Sequence, residues 1–257
     1  MKKWSILIII SLFSLRSISQ NSMIIYYSLR INDMERMGTL YVSTKENSYY
    51  IEKYKKNKDG DKIKVEEGNS TDIKTYSNID LNKEYIQVYQ KNNIINNYDF
   101  IGNKRVQYLD TTNKINWEIK NEFKVINKYK CTKAVCNFRG RNYTAWFSPD
   151  IPVVNGPWKF HGLPGLIFQI ADDTGAYDWV VDKIKFIPTI PQLQNDLQIE
   201  KLGFKDFVNK SAQIYQKESN EKMEILLSKL SLKNANIKTK QVVFQRGREL
   251  VYDWEKK

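Results

Sequence analysis

Residues 156–167 are Gly-Pro-Trp-Lys-Phe-His-Gly-Leu-Pro-Gly-Leu-Ile, a stretch that places prolines, glycines and two large aromatic residues directly before an apolar segment. Four of the six prolines of the chain lie between residues 149 and 164, so this connection cannot be a regular helix or a ladder-forming strand. We expect side chains to hold the loop, with Trp158 and Phe160 as its anchors. Two interpretations follow. The loop closes one end of a sheet and sets the direction of a core strand, or it forms the rim of a ligand or partner site.

The end of this loop predicts a tight turn into a buried strand. In residues 163–166, proline suits the second position of a type II turn, and glycine suits the third, where φ is positive. The segment 166–171 that follows is apolar on both faces, which is typical of a central strand. If the loop lines a binding site, the candidate residues are Trp158, Phe160, His161, Leu163, Pro164 and Gly165.

Alternation of apolar and polar residues dominates the chain before residue 190. It predicts antiparallel strands at 23–31, 39–44, 49–53, 85–89, 105–109, 129–136, 141–147, 166–171 and 177–186. Between Val181 and Ile184 the alternation slips by one residue, which predicts a β-bulge. The short polar segments at 137–140 and 172–175 are predicted to be hairpin turns.

The period changes to that of a helix at 204–232, where apolar residues recur on one face. We expect one long helix or two, lying over the open face of the sheet, and a final strand at 241–244 or 249–254. The predicted fold is a β-rich α+β domain, a curved antiparallel sheet or half-barrel covered by a C-terminal amphipathic helix. One domain is expected over 20–257, with a β-rich body at about 20–190 and a helical part at about 204–232.

The first nineteen residues have the pattern of a signal peptide. Two lysines precede an apolar run from Trp4 to Leu15, and Ser17 and Ser19 are small residues at the spacing that a signal peptidase recognises. The alternative, a membrane anchor, is disfavoured because the run is shorter than the ~20 apolar residues that cross a bilayer. We therefore expect cleavage between Ser19 and Gln20, a periplasmic or secreted protein, and no transmembrane segment after cleavage.

The formal net charge of +12 does not indicate a nucleic-acid partner. The basic residues are spread along the chain and accompany no recognisable nucleic-acid-binding motif. Weak attraction to an anionic envelope surface is compatible with this charge.

Few residues suggest chemistry. His161 is the only histidine, so a multi-histidine metal site is excluded, and a hydrogen-bonded loop histidine is favoured over a general base.

Cys131 and Cys136 are five residues apart in one predicted strand, about 16 Å along it, so buried free thiols are favoured over a disulfide. Asp173-Thr174-Gly175 is similar to the tripeptide of aspartic proteases, but that chemistry needs two such carboxylates. No catalytic residue, metal site or cofactor is predicted.

The hexapeptide Gly-Leu-Pro-Gly-Leu-Ile at 162–167 resembles the signature of the GLPGLI family of the Bacteroidota. The preceding segments 129–134, 140–143 and 145–147 also resemble that family, and the likeness is strongest from about 129 to 181. The resemblance implies a β-rich envelope protein of unknown function. It transfers no catalytic or binding residue.

Together these patterns favour a non-enzymatic binding or accessory protein of the cell envelope. A concave apolar face would hold a lipid, a peptide or an outer-membrane partner. A structural or interaction module without a small ligand is the main alternative, and a hydrolase with an unrecognised site is the third. The face under the helix decides between the first two: a binding protein needs it to be hollow, and a module has it filled with side chains.

Overall fold

The computed structural model describes residues 22–31, 34–43, 47–54, 83–90, 94–111, 115–193, 199–229 and 248–255. Within them, twelve strands form one open sheet, accompanied by one α-helix. The strands are β1 (Ser22–Ile31), β2 (Met34–Ser43), β3 (Tyr49–Tyr54), β4 (Glu84–Tyr89), β5 (Ile94–Ile101), β6 (Lys104–Thr111), β7 (Glu118–Ile126), β8 (Tyr129–Phe138), β9 (Arg141–Ser148), β10 (Leu166–Asp172), β11 (Tyr177–Ile187) and β12 (Glu200–Gly203). The helix α1 is Phe204–Lys229, and a single 3-10 turn follows at Asp253–Glu255. The predicted β-rich fold with a C-terminal helix is confirmed, but the sheet is open at both edges. The predicted signal peptide and the segment 241–244 lie outside the described residues.

Two antiparallel meanders make up the sheet. Its order is β12-β6-β5-β4-β3-β2-β1-β11-β10-β9-β8-β7, so the meander β1–β6 meets the meander β7–β11 where β1 pairs with β11. β12 is the exception, because it pairs with β6 in parallel. The sheet is strongly curved: Asp110 in β6 and Arg139 in the β8–β9 turn are far apart in strand order, yet they form an ion pair at 2.7 Å.

The bulge predicted in β11 is confirmed. Tyr26 pairs with Lys183 and Tyr27 pairs with Val181, so Asp182 is the extra residue. Asp182 turns outward and accepts a hydrogen bond from Ser28 Oγ at 2.5 Å. The extra residue keeps Ile184, which packs against the core, on the same face as Val181, whereas Phe186 further along the strand is 49% exposed.

The predicted hairpin turns are also confirmed. Arg139 and Gly140 have φ of 48° and 85°, the two left-handed residues of a type I′ turn. The turn at 173–176 joins β10 to β11, and the Asp172 carboxylate accepts a hydrogen bond from the Tyr177 N–H at 2.9 Å. The aspartic-protease-like tripeptide is therefore part of a hairpin turn.

The helix does not cover the sheet as predicted. It packs against one end of the sheet, on β5, β6 and β12, where Phe204 and Phe207 stack on Tyr108. Tyr215, one of the apolar residues at helical spacing in 204–232, is 45% exposed. The alternative final strand at 249–254 is also wrong, since that segment holds the start of the 3-10 turn. Among the described residues, no helix is long and apolar enough to cross a membrane.

The loop 149–165 fills the concave side of the sheet instead. Phe160 is fully buried in an aromatic cluster whose other members are Trp117, Phe138, Tyr143, Trp158 and Trp179. Tyr89 Oη, from the opposite meander, lies within hydrogen-bond distance of the Gly156 and Trp158 carbonyl oxygens. The apolar face expected to be open for a ligand is thus occupied by the loop.

The turn at the end of the loop differs from the predicted type II turn. The Gly165 N–H bonds to the Leu163 carbonyl at 2.9 Å, and the Leu166 N–H bonds to the Ile151 carbonyl rather than to Leu163. Glycine is required for a second reason besides its φ of 155°: a β-carbon here would lie 2.1 Å from the Ser148 carbonyl oxygen. Close backbone contact, rather than turn type, therefore fixes Gly165.

Candidate functional site

A cavity of about 320 Å³ lies where the loop, the inner face of β2–β6 and the C-terminal segment 248–252 meet. The strands contribute Arg36, Glu52, Tyr85, Gln87, Asp99 and Tyr108 to its wall. The loop adds Trp158 and Lys159, and the C-terminal segment adds Arg248 and Glu249. We call this cavity the charged pocket. Its lining is unlike the apolar surface expected for a lipid carrier.

Glu52 on β3 joins two arginines that come from distant parts of the chain. Its Oε1 accepts hydrogen bonds from Arg36 Nη1 at 2.7 Å and from Arg248 Nη2 at 2.6 Å. Burial alone would raise the pKa of Glu52, but the charges of Arg248 and Arg36 lower the pKa below its ordinary value. Glu52 is therefore an ionised counter-ion that ties the C-terminal segment to the sheet.

The guanidinium of Arg248 also lies among aromatic rings. Its Cζ is 5.1 Å from the Trp179 ring centre, 5.6 Å from that of Trp158 and 5.8 Å from that of Tyr177. Cations are attracted to the faces of such rings. The ion pair and the rings together explain how an arginine side chain can be only 15% exposed.

A second charged network closes the pocket on the loop side. Lys159 Nζ lies 2.5 Å from Asp110 Oδ2 and 2.8 Å from Glu249 Oε1, and its side chain is only 1% exposed. Arg139 pairs with the same two carboxylates. Burial opposes ionisation of Asp110, yet Lys159 and Arg139 lower the pKa of its carboxyl group below the ordinary value. The hairpin turn, the loop, β6 and the C-terminal segment are thereby joined by four charged groups.

Asp99 on β5 differs from these carboxylates. Its Oδ1 accepts a hydrogen bond from the Phe100 N–H at 2.7 Å, and no ion pair joins it to any described residue. Burial raises the pKa of Asp99 to about 6, against the opposing effects of the Phe100 N–H and the charge of Lys159. Asp99 is therefore the pocket acid that changes charge near neutral pH.

Two buried acceptor atoms in the pocket wall also have no hydrogen-bond partner among the described residues. They are Glu52 Oε2 and Gln87 Oε1, on residues that are 2% and 8% exposed. Glu52 is paired with Tyr85 across β3 and β4, and Gln87 with Asn97 across β4 and β5, so all point to the same face as Asp99. Buried acceptors are normally satisfied, so a partner from outside the chain suits this site.

Of the six loop residues proposed as a site rim, Trp158 alone lines the charged pocket. Its backbone φ of 52° is rare for a bulky residue and marks local strain beside the cavity. Phe160 and Leu163 are core residues, whereas Pro164 is exposed and Gly165 contacts the Ser148 backbone. The structure therefore does not gather these residues into one rim.

His161 and the two cysteines have structural surroundings. His161 Nδ1 lies 2.9 Å from the Lys159 carbonyl oxygen, and its own carbonyl accepts a hydrogen bond from Trp117 Nε1, as expected of a hydrogen-bonded loop histidine. Cys131 and Cys136 are free and buried. Burial raises the pKa of their thiols to about 11 and about 12, so both are protonated at neutral pH.

Sequence reasoning missed the charged residues of the pocket, although one signal was present. Val106, Tyr108 and Asp110 occupy alternate positions of β6, and all three are buried. When a carboxylate occupies a strand position whose side chain faces the interior, it indicates a buried ion-pair partner or a functional site. Lys159, between two buried aromatic residues of the loop, carried the same signal.

Comparisons with known proteins identify a fold and a short family segment. Residues 137–169, from the end of β8 to the start of β10, match the family described as "Protein of unknown function (Porph_ging)". No curated protein matches the chain. The structure is similar to PNGF-II in a P21 crystal form, with a TM-score of 0.51 and 16% identity over 76% of this chain and 34% of that one. For PNGF-II in a C2 form the values are 0.51, 17%, 75% and 33%. The chain spans about a third of the PNGF-II chains it matches, and the likeness shows a shared fold alone.

Proposed function

We propose that this protein is an exported GLPGLI-type binding protein that holds a small polar ligand in the charged pocket. One observation carries the proposal: two residues of the pocket wall, Glu52 and Gln87, have buried acceptor atoms that no described residue satisfies. The volume of about 320 Å³ is at the lower end for ligand sites, so the ligand is small. A lipid does not suit this lining, because its chains would leave the charged groups without polar partners.

Export rests on the pattern of residues 1–19 and the predicted cleavage after Ser19. The expected outcome is that protein recovered from the periplasm or the medium begins at Gln20. Amino-terminal sequencing of protein from each cell fraction tests this. An intact Met1 on protein found in the cytoplasm would contradict export.

Ligand binding is tested by native mass spectrometry of the mature protein, purified gently from the envelope fraction of its own host. We expect an added mass that denaturation releases and that the Gln87→Leu variant retains less well. The Glu221→Gln variant is the control, because Glu221 lies on the exposed face of α1. A bare chain mass for the unaltered protein would contradict the proposal.

An interaction module is the second candidate, and the edge strand β7 favours it. Ile119, Phe123 and Val125 alternate along β7 and are 53%, 52% and 72% exposed. An edge strand with an exposed apolar face can pair with another chain. Photo-crosslinkers placed at these positions would capture a defined partner in the envelope, and their failure to do so would remove this candidate.

A hydrolase is supported less well than binding. Acid–base catalysis needs two groups that can exchange protons, with pKa values displaced to suit each role. Asp99 meets this requirement, since burial raises its pKa to about 6. Glu52 does not, because Arg36 and Arg248 both hold it ionised.

A further inference from the structure

We propose that two copies of this chain pair along β7, antiparallel and about a two-fold axis at Asn121. The inference goes beyond the proposed ligand binding and does not depend on it, because it assigns the exposed edge of the sheet to one partner. Three features of β7 lead to it: its outer edge, its separation of apolar from charged residues, and the order of its charges.

The first feature is the outer edge of β7. This strand is last in the order of the sheet and pairs only with β8 among the strands that the structure describes. None of its nine residues is buried. The opposite edge differs, since β12 has four residues and contacts α1. β7 therefore presents outward-pointing N–H and C=O groups with which a further strand can pair.

The second feature is that each face of β7 has one character. Ile119, Phe123 and Val125 lie opposite alternate residues of β8, so they share one face, and they are 53%, 52% and 72% exposed. Glu118 and Lys124 lie opposite residues of the other set, so they point to the other face. A partner strand would thus meet an apolar row on one face and a charged row on the other.

The third feature is the order of the charged row, which is Glu118, Lys120, Glu122 and Lys124. With Asn121 opposite itself in the second copy, Glu118 lies opposite Lys124. Lys120 likewise lies opposite Glu122, and the two-fold axis repeats both pairs, so four pairs of opposite charge form. An axis one residue further along in either direction would place like charges opposite each other, and an axis two residues away would keep two of the four pairs. The charges therefore favour one register, in which the strand is complementary to itself.

The charged row is accessible in the single chain. The side chains of Glu118 and Glu122 are 68% and 55% exposed, although they pair with Lys120 and Lys133. An ionised carboxylate has two oxygens with about four lone-pair sites, so each can accept a second cation. The dimer would thus add ion pairs without breaking those within the chain.

The same register also pairs the apolar residues. Ile119 lies opposite Phe123 of the second copy, and Val125 lies opposite Trp117, the residue just before β7. Apolar pairs directly across two antiparallel strands stabilise their association. One register therefore suits both faces of the strand.

An irregularity in β7 favours a second copy over a different protein. The three residues 120–122 lie opposite Lys133 alone, two more than a regular ladder has. Such irregularities hinder pairing of an edge with a regular strand. An even number of extra residues keeps the alternation of faces, and in the dimer the two irregular segments lie opposite each other at the axis.

Sedimentation velocity of the mature protein over a range of concentrations tests the dimer. Two paired strands with few side chains make a small interface, so we expect reversible association with a Kd on the order of 10 μM. Lys120→Glu should weaken association by about tenfold or more, because it places an acid opposite Glu122 on both sides of the axis. Lys217→Glu makes the same change of charge on the exposed surface of α1 and should have no effect.

Reversal of both charges separates pairing across the axis from damage to the single chain. A double variant with Lys120→Glu and Glu122→Lys has opposite charges across the axis again. Its Kd should return to within about threefold of the value for the unaltered protein. A purely local effect of Lys120→Glu would not be repaired in this way.

A disulfide tests the register directly. Asn121→Cys places the same residue of the two copies opposite each other, with Cα atoms about 4.5–5.5 Å apart, within the range for a disulfide. We expect mild oxidation to give a covalent dimer on a non-reducing gel. Val125→Cys is the matched control, because residue 125 is also exposed but lies opposite Trp117. The native Cys131 and Cys136 are buried and should form no cross-link.

Three results would overturn the proposal. The first is sedimentation as a monomer up to about 200 μM, well above the expected Kd, which would leave the edge to another protein or to a segment outside the described residues. The others are a double variant that associates as weakly as Lys120→Glu, and equal cross-linking by Asn121→Cys and Val125→Cys. The ligand proposal is tested separately, since a released mass is measured for each chain whether the protein is a monomer or a dimer.

Discussion

Lys159 and Phe160 are neighbours in the loop and are buried to the same degree, at 1% and 0% exposure, yet opposite kinds of surroundings hold them. Phe160 lies among aromatic rings, where the stabilisation grows with the apolar area removed from water and requires no particular partner. Lys159 lies between Asp110 and Glu249, where each charge is tolerated only while its partners stay in place. Burial alone therefore does not show how a side chain stabilises this fold.

The largest expected effect is on the apolar side. Phe160→Ala should lower the free energy of unfolding by about 3–5 kcal/mol, because it removes a fully buried ring and leaves a cavity. Urea denaturation followed by tryptophan fluorescence measures it. Phe186→Ala is the control, since Phe186 is 49% exposed. Equal losses in the two variants would show that the aromatic cluster is not a core.

On the charged side, Lys159→Met should cost about 3 kcal/mol, because Asp110 and Glu249 lose a buried counter-ion while Arg139 remains. Lys210→Met is the matched variant. Lys210 pairs with Glu200 on the surface, so its loss should stay within about 0.5 kcal/mol. The same denaturation experiment compares them, and a loss for Lys159→Met as small as for Lys210→Met would mean that the buried network contributes nothing.

Asp99 sharpens the comparison because it is a half-buried carboxylate that forms no ion pair with any described residue. Its pKa of about 6 in the fold exceeds the ordinary value of 3.8, so the folded state keeps a proton that the unfolded chain loses. Stability should therefore fall as the pH rises from about 4 to about 6, by at most about 3 kcal/mol. The Asp99→Asn variant should lack this decline, and its stability should exceed that of the unaltered protein near pH 7. Parallel pH profiles for the two proteins would contradict the assignment.

The smallest effects concern the backbone of the loop. Gly165→Ala should cost about 2 kcal/mol, since its β-carbon would lie 2.1 Å from the Ser148 carbonyl oxygen. Gly162→Ala should cost about 1 kcal/mol, because φ is 92° there but no atom lies within 4 Å of the new carbon. Both variants place a β-carbon on a backbone with positive φ, but only Gly165→Ala adds the close contact. The difference between their melting temperatures therefore measures the cost of that contact alone. A Gly162→Ala loss equal to that of Gly165→Ala would remove the close contact as the cause.

Much of the fold could be predicted from the sequence, because apolar and polar residues alternate along a strand that has one buried face. Nine strand segments and the bulge at Asp182 followed from that pattern. Three strands, β5, β7 and β12, escaped it for physical reasons. β5 has the buried polar residues Asn96 and Asn97 at successive positions, so its apolar alternation is lost. The edge strand β7 has no buried residue to mark a phase, and β12 has only four residues.

The site could not be predicted in the same way. Glu52, Asp110 and Arg248 lie far apart in the chain, and no motif connects residues whose contact depends on the curvature of the sheet. The apolar stripe of the helix predicts a packing partner on the sheet, but the loop fills that space with Trp158 and Phe160. The prolines and aromatic residues of 149–165 predicted an ordered loop correctly, but they did not show how deeply the loop is buried.

The pairing of β1 with β11 has a consequence for how the chain folds. Ser22 pairs with Ile187 and Ile31 with Tyr177, so the seam between the two meanders joins strands about 150 residues apart, whereas the meanders themselves are built from neighbouring hairpins. Hairpins form within microseconds, and loop closure over such a distance is slow. Each meander should therefore form early, and closure of the seam should limit the folding rate. During synthesis, β1 remains without its second neighbour until the last residues of β11 become available.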